Sequence, residues 1–141
     1  MTIRSMTFRV ALLALLITAP ASADDVTGAD HLLCAAARAT ECFADGVCLP
    51  GNPEDWNSPR FLKIDFVEQV LRTTEASGQA RSTPMKNIER EGDRIFIQGV
   101  EQSRAFSIVL DQDSGTASVA IALEGHVLAI FAYCTPIEPN D

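Results

Sequence analysis

Residues 94–134 read "RIFIQGVEQSRAFSIVLDQDSGTASVAIALEGHVLAIFAYC". Four runs rich in β-branched and aromatic residues are cut by polar or glycine-containing breaks: "EQS", "DQDSG" and Glu124-Gly125. Within the runs apolar side chains recur every second residue. Phe106, Ile108 and Leu110 fall on one side, as do Ala117, Val119, Ile121 and Leu123. A period of two marks strands, because successive side chains point to opposite faces. Short breaks between such runs mark antiparallel hairpins.

The pattern extends towards the N-terminus. Glu91-Gly92-Asp93 is a turn, and "QARSTPMKNIER" before it is a less regular run. Pro84 lies in that run and has no N–H for a ladder, so it belongs at an edge or a bulge. "EASG", ending at Gly78, is another turn. "VLRTT" and "FLKIDF" precede it, with Leu62, Ile64 and Phe66 on one face and Lys63 and Asp65 on the other. About seven strands therefore follow Trp56, or eight to nine with an N-terminal pair. The fold class is all-β: an antiparallel meander forming a small barrel or a sandwich. A meander this long curls to hide its edges.

The last run is apolar on both faces. Leu128, Ile130, Ala132 and Cys134 alternate with Val127, Ala129, Phe131 and Tyr133. One face fills the interior. The other needs a cover, which the N-terminal segment, the 49–60 loop or a partner could supply, and a cover within the chain is preferred.

Residues 30–42 are ambiguous. Alanine richness and a cap at Asp30 favour a helix. A strand would place Cys34, Ala36, Arg38, Thr40 and Cys42 on one face and lead into a hairpin, and the strand is preferred. "LPGNPEDWNSPR", with three prolines and the only tryptophan, is a loop. Trp56 is expected to plug one end of the core.

The N-terminus has Arg4 and Arg9, an apolar run too short to span a bilayer, and Ala21-Ser22-Ala23. These are the parts of a secretory signal peptide. Cleavage after Ala23 would leave residues 24–141, a single soluble domain in the periplasm or secreted. Its 9 basic side chains face 19 acidic ones, a formal charge of −10. Such a body repels nucleic acid and anionic lipid.

An even number of cysteines in an exported chain argues for disulfides. In "CFADGVC" (42–48), Ala44-Asp45-Gly46 form a three-residue turn that sets Cys42 opposite Cys48. Cys34 is then left to join Cys134, tying the first strand to the last. No C-x-x-C pair supports a metal or redox site. No metal and no cofactor are expected. "DQDSG" resembles the start of a calcium loop, but strands flank it and a hairpin turn suffices. His31 and His126 have no nucleophile nearby in sequence, and no G-x-S-x-G elbow occurs. No catalytic residue is assigned. Arg38, Phe43, Asp45 and Trp56 are the candidate binding residues.

"NSPRFLKIDF", "STPMKNIEREGDRIFIQGVEQSRAFSIVLDQDSGTASVA" and the closing "FAYC" cover most of the mature chain. Together they resemble a group of small exported proteins of Gram-negative bacteria. The resemblance implies export and a compact β-domain, and it brings no catalytic residue. In layout alone the chain is similar to periplasmic lysozyme inhibitors, whose inhibitory loop motif it does not carry.

The expected function is non-enzymatic binding, by a monomer, of an envelope protein or a small ligand. One version is inhibition of a cationic envelope-attacking hydrolase such as lysozyme, steered by acidic charge. The other is carriage of a small apolar ligand. The carrier requires an interior not filled by Phe66, Phe96, Phe106 and Phe131.

Overall fold

The computed structural model describes residues 24–77 and 80–139. The expected signal peptide (1–23) and Gly78 of the expected "EASG" turn lie outside these residues. Ten strands form: β1 (His31–Phe43), β2 (Cys48–Gly51), β3 (Phe61–Asp65), β4 (Val70–Thr73), β5 (Ser82–Pro84), β6 (Asn87–Glu91), β7 (Arg94–Glu101), β8 (Arg104–Asp111), β9 (Thr116–Leu123) and β10 (His126–Pro136). Short 3-10 turns at Pro53–Trp56 and Glu75–Ser77 are the only helical pieces among the described residues. None of these is a helix long and apolar enough to cross a membrane.

The strands make one antiparallel sheet in the order β5-β4-β3-β1-β10-β9-β8-β7-β6, with β2 also beside β1. The sheet curls into a half-barrel. Its two outermost strands are successive pieces of one segment, since only Met85 and Lys86 separate β5 from β6. The irregular run around Pro84 therefore yields two strands, not one. Before the break the segment pairs with β4, and after it with β7. At the changeover Met85 N–H donates to the Gln69 carbonyl and Lys86 N–H to that of Gln98. The segment thus bridges both edges of the sheet, which hides them from foreign strands.

Residues 31–43 are a strand, as preferred, but its register changes once. Ala36 pairs with Ala132 and Arg38 with Phe131, leaving Ala37 as an extra residue. Such a bulge moves every later side chain to the opposite face. Cys34 and Ala36 face inwards, while Arg38, Thr40 and Cys42 face outwards. The expectation of a single face from Cys34 to Cys42 is corrected by this one residue.

Both disulfides form as expected. Cys34–Cys134 is buried between β1 and β10, at a sequence separation of 100. Cys42–Cys48 closes the hairpin at a separation of 6. There Gly46 takes φ +87° and Phe43 N–H donates to the Val47 carbonyl.

The second face of β10 is not covered. Among the described residues Val127, Phe131 and Tyr133 are 45%, 54% and 52% exposed. The candidate covers are used on the inner side. Trp56 packs against Ala39, Leu128 and Ile130. Val26 is buried in the main core cluster with Leu32, Ile95 and Leu110, its N–H donating to Gln112 O. Burying Trp56 and Val26 inside gains more than spreading them on an open sheet face.

Candidate binding pocket

The alternation that fills the half-barrel leaves a space at one end. Leu62, Leu71, Ile108, Val119 and Ile130 line it, and small residues at Ala36, Ala117 and Ala132 keep it open. The cavity measures about 100 Å³, room for about three waters at roughly 30 Å³ each. Cys34 of the buried disulfide forms part of its wall.

Of the four phenylalanines that might have filled the interior, only Phe106 lines the cavity. Phe131 is exposed, and Phe96 alternates with buried Ile95 and Ile97, so it faces outwards. Phe66 packs against the main core cluster without lining the cavity, with the Arg90 guanidinium 5.0 Å from its ring centroid. The tip of the Phe106 ring comes close to Gly99 because that position has no Cβ. A methyl there would lie 2.4 Å from the ring.

The mouth is polar. Asn57, Ser58, Pro59 and Arg60 form its lip, and Thr73, Arg81, Thr83, Glu101 and Arg104 complete it. Arg81 and Arg104 are only 16% and 13% exposed, and both approach Glu101, at 3.4 and 3.6 Å. The Thr83 hydroxyl makes the short contact, donating to Glu101 Oε1 at 2.7 Å. The same arginines hold the lip. Arg81 Nη2 donates to the Asn57 carbonyl at 3.1 Å, and Arg104 Nη1 to that of Trp56 at 3.3 Å. Arg60 is matched by Glu54, which it meets at 2.7 Å. That contact holds the Glu54 carboxyl below the usual carboxylate range.

Sequence reasoning missed Arg81, Thr83, Glu101 and Arg104. Two of them carried a signal. Continuing the buried series Ile95, Ile97, Gly99 by one step puts Glu101 on the inner face, and Arg104 is its cross-strand partner. Between them Gln102 and Ser103 both have positive φ, 47° and 63°. A two-residue hairpin turn requires this, and neither residue favours it.

The candidate residues fall in three places. Trp56 and Phe43 are linked by a chain of contacts. Trp56 Nε1–H donates to Glu41 Oε2 at 2.7 Å, Glu41 Oε1 lies 3.3 Å from His126 Nε2, and the His126 ring is 5.8 Å from that of Phe43. Asp45 sits at the hairpin tip, where its carboxylate accepts the Val47 N–H. Arg38 stands apart, on the outer face beside Phe131.

The remaining polar groups are structural. His31 and Arg72 each lie 3.6 Å from Asp65. In "DQDSG" the Asp111 carboxylate accepts both the N–H and the hydroxyl of Ser114, which holds its pKa below the ordinary value. Asp113 is pushed the other way, chiefly by the charge of Asp93. Among the described residues no group of three or more His, Cys, Asp or Glu side chains is placed to hold a metal ion.

No protein-family model, curated protein or solved structure matches this chain.

Proposed function

We propose that the chain is a non-enzymatic binding domain of the periplasm whose half-barrel interior takes a small apolar ligand. The observation that carries this reading is the 100 Å³ cavity with an apolar wall and a single polar mouth. Binding sites have this make-up, apolar lining with few polar groups placed at one point. A cavity of about 150 Å³ takes benzene, so this one encloses roughly four non-hydrogen atoms of a ligand, which excludes a whole phospholipid. The two disulfides are in keeping with an oxidising compartment.

Catalysis is less well supported. The polar groups at the mouth converge on the Glu101 carboxylate, which is already engaged by a hydroxyl and two guanidiniums. Neither histidine lines the cavity.

Titration with the linear alcohols butanol to octanol tests the proposal, read by thermal shift and by the fluorescence of Trp56. Saturable binding that is lost in Ala132→Phe, which fills the cavity, is the expected result. If none of the alcohols saturates, the carrier reading is overturned.

Protein binding is the second reading, favoured by the Cys42–Cys48 hairpin. It exposes Phe43, Val47 and Leu49 around the acidic Asp45, a stiffened surface suited to a cationic hydrolase. A lysozyme activity assay with excess oxidised protein tests it, and unchanged hydrolysis rules that enzyme out.

A further inference from the structure

The pocket mouth has an imbalance of charge. Arg60 is neutralised by Glu54, but Arg81 and Arg104 share one carboxylate, Glu101. The other partners at the mouth, the Asn57 and Trp56 carbonyls and the Gln102 side chain, are neutral. Among the described residues one positive charge is therefore uncompensated beside the cavity, in a chain whose overall charge is −8. A cation held in such a place costs free energy unless an anion meets it.

The contacts themselves are loose. Charge-assisted guanidinium–carboxylate hydrogen bonds run at about 2.7–2.9 Å, whereas the Arg–Glu101 contacts measure 3.4 and 3.6 Å. Glu101 makes its short bond to Thr83 instead. Arg81 Nε is buried and has no hydrogen-bond partner among the described residues. Two loosely paired guanidiniums thus belong to the lining of a cavity whose remaining wall is mainly apolar. The turn that carries Glu101 and Arg104 is also strained at Gln102 and Ser103, as backbone at binding sites often is.

From these observations, and resting on the carrier reading above, we infer that the ligand is a short-chain carboxylic acid anion. Its carboxylate is held by the guanidiniums of Arg81 and Arg104. Its chain lies against Leu62, Leu71, Ile108 and Ile130. The cavity volume restricts the enclosed part of that chain to about four carbons.

The experiment compares matched pairs by calorimetry: hexanoate against hexanol and hexylammonium, then butanoate, octanoate and dodecanoate. Hexanoate binds about tenfold or more tightly than hexanol, and hexylammonium more weakly than both, because charged hydrogen bonds outweigh neutral ones. Affinity rises by about fourfold per methylene from butanoate to about pentanoate and has stopped rising by octanoate. In Arg104→Gln the hexanoate-to-hexanol ratio falls to about one, and Arg104→Lys restores it only in part because the fork is lost. The wild-type comparisons decide the matter even if a variant fails to fold.

Equal binding of hexanoate and hexanol overturns this inference and leaves the carrier reading standing. Binding of neither overturns both. Affinity that keeps rising to octanoate overturns the assigned chain length.

Discussion

Gly99 offers a test of how the pocket is kept open. It lies on the inner face of β7, paired with Phe106 of β8. A Cβ at this position would sit 2.4 Å from Phe106 Cζ, 2.7 Å from Cε1 and 3.0 Å from the Pro84 carbonyl oxygen. Ordinary van der Waals contact begins near 3.4 Å. Gly99→Ala therefore drives the ring back by about 1 Å and the Pro84 oxygen by a few tenths, as follows from normal contact distances. The carbonyl belongs to the edge-bridging segment, so most of the movement falls on the ring, which turns into the cavity. Overpacking of this kind costs about 1–3 kcal/mol. The assay is a double-mutant cycle of Gly99→Ala, Phe106→Leu and both together, by urea denaturation and by hexanol titration. Leucine has no atom at the position of Cζ, so the penalty of Gly99→Ala shrinks by about 1 kcal/mol or more in its presence. Hexanol affinity falls in Gly99→Ala alone. If alanine costs the same with Phe106 present or absent, the ring is not what Gly99 accommodates and the reasoning fails.

Three further outcomes are expected. Removing Cys42–Cys48 by paired alanines costs about 2 kcal/mol and removing Cys34–Cys134 about 5, by the loop-length relation at separations of 6 and 100; equal losses in urea denaturation would contradict the chain-entropy account. Replacing Gln102-Ser103 by Asn-Gly relieves two positive-φ residues and raises stability by roughly 1 kcal/mol or more, with a Tm no higher than wild type counting against it. Asp113, whose pKa is raised by Asp93, is disfavoured in its ionised form by the folded state, so its penalty is present at neutral pH and vanishes as pH falls below the unfolded value of 3.8. Asp113→Asn therefore raises the Tm at pH 7 and not at pH 3, and a gain equal at both would refute the electrostatic cause.

The sheet was legible in the sequence because most strands have one wet face. Phe106, Ile108 and Leu110, and the series from Ala117 to Leu123, alternate as written and point inwards as they must. The turn at Ala44-Asp45-Gly46 fixed one cysteine pair, and the second followed. Three features were harder to read. The bulge at Ala37 leaves no mark in a run of alanines, which fit either face, so Arg38 was placed on the wrong side. Pro84 announced an irregularity, but that the chain changes partners there depends on how far the whole sheet curls. The mouth of the pocket depends on distance along the chain: Arg81 and Glu101 are 20 residues apart, and their meeting is set by the bridging of edges that alternation does not encode. Trp56 was correctly expected at the core, but its carbonyl, which no pattern of side chains reveals, is what Arg104 holds.

The position of β1 bears on how the molecule assembles. The strand earliest in sequence lies in the middle of the sheet, between β3 and β10. On one side its partner is nearby in the chain, but on the other it pairs with the last strand, up to Leu32 opposite Pro136. A chain emerging from its N-terminus can form each hairpin from β7 to β10 in turn, yet β1 keeps one side unpaired until the final residues arrive. Closing so long a loop is entropically costly, and folds dominated by such contacts form slowly. The Cys34–Cys134 bond joins the same two strands, so once made it shortens the loop that this pairing has to close, and a chain cut before β10 would lose a neighbour of its central strand, not of its edge.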